Sequence, residues 1–181
     1  MKSYIFTTLL TSTLMLASVT VYADDSTLTI TQAGTKNEVA SGQIGASDVN
    51  NTKQVGAGGQ VSVSQLGDYE SAKIYQQGTS NSATITQSGN VGNNWAKVGQ
   101  FGESDLATIN QSANYNSATL SQSGVSNTTS LSQTFVGDAN ITQSGSYGDV
   151  KVAQTDVFSQ ANVTQGGAGN SVTANVGHPA K

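Results

Sequence analysis

Side chains able to act as nucleophile, base or metal ligand are scarce in this chain. His178 is the only His, there is no Cys, and all seven basic residues are Lys. The absence of Cys removes disulfides and thiolate metal sites. Ser is abundant only as part of a general excess of small polar residues. With no His or Cys placed beside a carboxylate in any recognisable motif, neither a nucleophile–base pair nor a carboxylate dyad is indicated. No catalytic, cofactor-binding or metal site is therefore expected, and the chain reads as a protein that is not an enzyme. The turn acids Asp68/Glu70 and Glu103/Asp105 come nearest to a Ca²⁺ site, but they lack the spaced oxygen ligands such a site requires. The lack of Arg argues against nucleic acid, whose phosphates are held by clustered Lys and Arg. No small-molecule substrate is expected either.

The chemistry that does recur is that of the carboxamide, which carries two donors and a two-lone-pair acceptor. Gln stands at Gln32, Gln43, Gln54, Gln65, Gln76, Gln87, Gln100, Gln111, Gln122, Gln133, Gln143, Gln154 and Gln165. Ten of these twelve intervals are eleven residues; the others are thirteen, from Gln87 to Gln100, and ten, from Gln133 to Gln143. Two places after the Gln comes a Gly, at Gly34, Gly45, Gly56, Gly67, Gly78, Gly89, Gly102, Gly124, Gly145 and Gly167, with Ala113, Phe135 and Asp156 as departures. The unit reads small, polar, Ile/Val/Leu, polar, Gln, any, Gly, then four mostly polar residues, as in Ala83-Thr-Ile-Thr-Gln-Ser-Gly89.

Alternation over the first five positions has the period of a strand. Ala, the aliphatic residue and Gln point to one side, and Thr, Ser, Asn and Lys to the other. The Gly and the residues after it form the turn, since Gly and Asn tolerate positive φ. The repeated Gly and the β-branched residues at the polar places disfavour helix. One such arm cannot cover its own apolar face, and stacking in a solenoid is the usual remedy. The expected fold is all-β: a β-solenoid of strand-turn-strand coils, about 22 residues per coil from two eleven-residue arms, about thirteen arms in all. An inward Gln is tolerable in such a stack because copies in register bond to one another in a ladder. The repeat-region acids all follow the Gln, in expected turns, and Lys53, Lys73, Lys97 and Lys151 take outward strand places, so no charge is expected inside.

The totals agree with a repetitive polar fold. Apolar residues are 35% and charged residues 10%, against twenty Gly, one Pro and a net charge of −4; ordinary soluble domains are roughly half apolar and a quarter charged. Residues 1–23 read as a secretory signal peptide, with Lys2, an apolar stretch from Ile5 to Val19, and Val21-Tyr22-Ala23 before the cleavage point. A short leader at 24–27, the solenoid at 28–176 and a tail at 177–181 complete the expected organisation. Without a capping segment, the solenoid's edges invite chain-to-chain growth into a cross-β fibre. The two irregular intervals are expected to widen one turn, near Asn93-Asn94-Trp95, and to tighten another, near Phe135 to Asp138.

The string Gln76-Gln-Gly78-Thr-Ser-Asn81-Ser-Ala83-Thr-Ile-Thr-Gln87 resembles the curlin repeat, and Gln111 to Gln122 matches it except at Ala113. Asn162-Val-Thr-Gln165-Gly-Gly167-Ala-Gly-Asn170 resembles the closing repeat of that family. The resemblance implies a curli-type functional amyloid subunit, secreted and polymerised on the bacterial cell surface for biofilm matrix, adhesion and cell aggregation. It implies as partners copies of the chain itself, a nucleator or minor curlin subunit, and an outer-membrane secretion pore with accessory proteins. C-terminal arms close to consensus favour the major subunit over the nucleator. The leader is shorter than that of major subunits. Alternatives in other classes are a soluble repeat adhesin and an ice-binding type of solenoid, the latter disfavoured because outward Thr-x-Thr pairs such as Thr84/Thr86 are not kept along the stack.

Overall fold

A computed structural model describes residues 5–11, 16–89 and 92–177, and all the regular structure among them is strand. In chain order the strands are β1 (Ile5–Thr11), β2 (Leu16–Asp24), β3 (Thr27–Thr35), β4 (Glu38–Ala46), β5 (Val49–Ala57), β6 (Gln60–Leu66), β7 (Ser71–Thr79), β8 (Ser82–Ser88), β9 (Trp95–Glu103), β10 (Leu106–Gln111), β11 (Ser117–Val125), β12 (Thr128–Gln133), β13 (Gly137–Ser146), β14 (Asp149–Gln154), β15 (Ser159–Gln165) and β16 (Ser171–Val176). Odd-numbered strands make one eight-stranded sheet and even-numbered strands the other, each in sequence order. Every pairing is parallel and joins a strand to its equivalent one coil away. This is a β-solenoid of two-armed coils, as the eleven-residue spacing requires.

Register follows the Gln. Gln32 lies opposite Gln54, Gln54 opposite Gln76, and Gln76 opposite Gln100. The thirteen-residue interval lengthens its coil without shifting this register, and the ten-residue interval shortens another in the same way, with Gln122 still opposite Gln143. Length change is absorbed in the turns, where it costs little. Residues 90–91 of the long turn lie outside the described residues; the short one is Thr134, Phe135 and Val136 between β12 and β13.

Burial alternates as strands demand. In β8 Ala83, Ile85 and Gln87 are buried while the residues between them are partly open. The core is a column of Leu28, Ile30, Ile74, Ile85, Ile109, Leu120, Leu131 and Ile141, all at most 1% exposed. Each such side chain contributes roughly 1.5–3 kcal/mol when fully buried. Parallel sheets are usually covered on both faces; here the outer faces are wet, because Thr, Ser, Asn and Lys fill the outward places.

Three expectations need correction. Strands run six to ten residues rather than about five: the longer ones, such as β11 and β13, continue pairing past the Gln through the Gly to the turn, while β10, β12 and β14 end at the Gln. A fourteenth repeat arm exists: β16 pairs with β14 but carries Val176 opposite Gln154, so a search for Gln passes over it. Although Asn93 of the long turn is a positive-φ residue, the Asn five places after the Gln is not. That conformation falls on the residue before it, at Lys36, Ser80, Tyr115 and Ser126, while Asn37, Asn81, Asn116 and Asn127 are buried.

At the N-terminal side β1 and β2 pair in parallel with β3 and β4, within the segment expected to be removed on export. They lack the repeat's Gln: Leu10 stands opposite Gln32 and Val21 opposite Gln43. Of the tail, Gly177 is described and His178 lies outside the described residues.

Candidate self-assembly core and its edges

The inward Gln side chains form two ladders. On the odd sheet Gln32 Nε2 donates to Gln54 Oε1 at 2.8 Å, and the same bond repeats through Gln76, Gln100, Gln122, Gln143 and Gln165 at 2.7–3.1 Å. On the even sheet it runs from Gln43 through Gln65, Gln87, Gln111 and Gln133 to Gln154, at 2.7–3.1 Å. Every donor points to the following coil, so both ladders have one polarity. A second bond leaves the same nitrogen across the coil: Gln87 Nε2 donates to Ser71 O at 3.0 Å, Gln100 Nε2 to Ser82 O at 2.9 Å, and Gln111 Nε2 to Trp95 O at 3.1 Å. Where present, these cross-braces tie the end of an arm to the start of the arm before it. Spacing alone pointed to the ladder; the brace needed the coil's closure.

A second set of columns stands at the corners, five places after the Gln. Asn127 is typical. Its Nδ2 donates to Ser123 O at 3.3 Å and to Gly145 O at 3.1 Å, while its Oδ1 accepts from Gly148 N at 3.2 Å. One amide thus closes its own turn and clasps the next. The recurrence of Asn37, Asn81, Asn116, Asn127 and Asn170 at this place was the signal for such a column.

Acids occupy some of these corners, contrary to the expectation that no charge lies inside. Asp48 and Glu70 are fully buried and Asp105 is 1% exposed. The turn's positive-φ residue swings the next side chain inward, so a place read as solvated turn is interior. Asp48 Oδ1 accepts from Glu70 N at 3.0 Å, Glu70 Oε1 from Asn94 Nδ2 at 3.1 Å, and Asp105 Oδ1 from Asn127 N at 3.0 Å. The second oxygen of each finds no partner, since a carboxylate cannot supply the donor that Asn supplies there. Burial, with the charge of Asp68 added, pushes Asp48 up to about 6. Burial, with Asp48 added, pushes Glu70 up to about 7, and burial raises Asp105 as well. Glu70 and Asp105 thus part from Asp68 and Glu103, which stay nearer solvent, and among the described residues no group of three or more His, Asp or Glu could hold a metal ion.

Glycine is required at the end of the strand by close approach. Gly78 has φ of +124°, and a Cβ there would lie 1.8 Å from Gly102 O of the next coil. Gly102 stands in the same relation to Gly124 O, at 1.9 Å. Ala113 takes the place opposite Gly89, where the approach is looser: a Cβ on Gly89 would lie 3.0 Å from Ala113 O.

At the ends the chemistry is complementary. Gln165 Nε2 is a buried donor without a partner, and Gln32 Oε1 and Gln43 Oε1 are buried acceptors without one. Beside Gln165, the half-buried Val172, Ala174 and Val176 of β16 pack on the core. An edge strand presents unpaired backbone groups as well. The two ends of the repeat region therefore offer a donor face and an acceptor face built on the same 22-residue grid.

A family model described as the curlin associated repeat matches residues 71–102 and 102–134. Neither a curated protein nor a solved structure matches the chain.

Proposed function

We propose, from the premise that this chain is a member of the curlin family of curli-type structural subunits, that it is a secreted fibre subunit. Residues 1–23 are removed on export, and the remaining chain adds end to end to copies of itself as an extracellular amyloid-like fibre on the bacterial cell surface. The major subunit is the role favoured, with a nucleating subunit and an outer-membrane secretion pore as partners. Such fibres would serve biofilm matrix, adhesion and cell aggregation.

The observation that carries the reading is the polarity of the Gln ladders and the groups left at their ends. Loss of residues 1–23 would bare β3 and β4. A second copy placed on β15 and β16 in the same register sets Gln165 under Gln32, Val163 under Ile30 and Val172 under Val39. The donor of Gln165 then meets the acceptor of Gln32, and the backbone ladders continue across the joint. Such a contact is heterologous and does not close on itself, which is the geometry of a filament.

Incubation of residues 24–181 at neutral pH, followed by thioflavin T fluorescence and fibre diffraction, tests it. The expected result is a lag, then fibres with reflections near ~4.7 Å and ~10 Å. A chain that stays monomeric with a β circular dichroism spectrum, with or without seeds, overturns self-polymerisation and leaves a soluble repeat adhesin.

A further inference from the structure

Three aromatic residues, Tyr75, Trp95 and Phe101, and three lysines, Lys53, Lys73 and Lys97, stand on the outer face of the neighbouring strands β5, β7 and β9. On the odd sheet Lys53 lies opposite Tyr75, Tyr75 opposite Gly99, Gln77 opposite Phe101, and Lys73 opposite Lys97. The Tyr75 and Phe101 rings are 5.3 Å apart and tilted by 41°. Lys53 Nζ sits 5.3 Å from the Tyr75 ring centre. Gly99 opens the space between them, since a Cβ there would already meet the Phe101 ring at 3.3 Å. Trp95 flanks the group at the start of the same strand as Phe101, and both are well exposed, at 38% and 45%.

The charge of this patch is uncompensated. Lys53, Lys73 and Lys97 have no carboxylate partner among the described residues, whereas Lys151 on the other sheet pairs with Asp149 at 3.2 Å. A chain of net charge −4 has gathered three free ammonium groups around an aromatic platform on one flat face. Folding does not call for either feature, because Thr and Ser fill the equivalent outward places in β11. Exposed aromatics and unpaired cations side by side are what a ligand with both an apolar face and negative charge would use.

We propose that this face binds an acidic polysaccharide. The C–H faces of the sugar rings would lie on Tyr75, Phe101 and Trp95, and carboxylates carried one per sugar would meet Lys73, Lys97 and Lys53. Lys73 and Lys97 are on adjacent strands, ~4.8 Å apart along the stack, a spacing close to one sugar unit. Nucleic acid fits less well: its phosphates are spaced at roughly 1.7 Å along the duplex axis, denser than three lysines and no Arg on an acidic chain can neutralise. The face is formed within one chain, so the site does not rest on fibre formation; in a fibre it would recur once per copy and gain from multivalency.

The test is calorimetric titration of residues 24–181, the same chain used for the assembly test, freshly dissolved and again after incubation, with sodium alginate oligomers, with neutral dextran as control and poly-dT as the competing class. Saturable alginate binding is expected that weakens with salt, is lost on dextran, and falls at least tenfold in Lys73→Gln/Lys97→Gln and in Tyr75→Ser/Phe101→Ser. Lys73→Arg/Lys97→Arg, which keeps the charge, and Lys151→Gln, on the other sheet, should both bind within twofold of the parent. No alginate binding, equal binding of dextran, tighter binding of poly-dT, or indifference to both double substitutions would overturn the proposal. Thioflavin T read on the same samples reports assembly separately, so failure of the sugar site and failure of polymerisation give different results.

Discussion

Glu70→Gln should stabilise the fold at neutral and alkaline pH and should cease to do so in acid. Glu70 is fully buried; its Oε1 accepts from Asn94 on the coil after, and its Oε2 has no partner. Asp48 faces it from the coil before, and Asp68, in the same turn as Glu70, adds its charge to Asp48. Burial first, then Asp48, carries Glu70 from an ordinary 4.5 to about 7. Between those two values the folded chain binds more protons than the unfolded chain, so stability falls as pH rises through that window. The penalty is absent below about 4.5 and complete above about 7. A displacement of that size corresponds to roughly 3 kcal/mol, an upper value because the two carboxyls raise each other. Gln keeps the acceptor for Asn94 and adds a donor, so a gain of about 2 kcal/mol is expected at pH 8 and close to none at pH 4, within the scale set for an unpaired buried group. Denaturant melts of parent and variant at pH 4, 6 and 8, followed by circular dichroism, read both quantities. An equal difference at pH 4 and pH 8, or a parent more stable at pH 8 than at pH 5, would refute the reasoning.

In the proposed joint Val176 would lie under Gln43, leaving the Gln43 acceptor unmatched; Val176→Gln should complete the second ladder and lower the critical concentration for assembly roughly tenfold, as one buried bond of about 1.4 kcal/mol would. Sedimentation of fibres at equilibrium measures it, and an unchanged or higher value counts against the joint. Gln100→Leu strips donors from Ser82 O, Asp105 O and Gln122 Oε1 and the acceptor from Gln76. A loss of about 3 kcal/mol is expected in denaturant melts, against no more than about 0.5 kcal/mol for exposed Gln77→Ala on a neighbouring strand. Gly78→Ala places a methyl 1.8 Å from Gly102 O and should abolish the β spectrum, whereas Gly42, with nothing within 4 Å of its added Cβ, should accept Ala with unchanged melts.

Much of this architecture could be read from the chain alone. Gln at eleven-residue intervals, with Ala and Ile alternating before it, determines strands, their inward face and their register, because side-chain alternation is a local property of extended backbone. The Gln-to-Gln register even survives the two irregular intervals, where turns lengthen or shorten instead. Arm β16 escaped that reading, since Val176 carries no amide to mark it.

The tertiary structure decided what happens beyond the Gln. Alternation stops there, and the direction of the next side chains depends on the turn's dihedrals and on the neighbouring coil's backbone. A positive φ at Ser47 and Tyr69 turns Asp48 and Glu70 inward, where composition had suggested solvated acids. The cross-brace from Gln100 to Ser82 O and the meeting of Lys53, Tyr75 and Phe101 likewise join residues about one coil apart in sequence. Such contacts exist only after the chain has closed each coil and stacked it on the last, so no periodicity in the sequence could announce them.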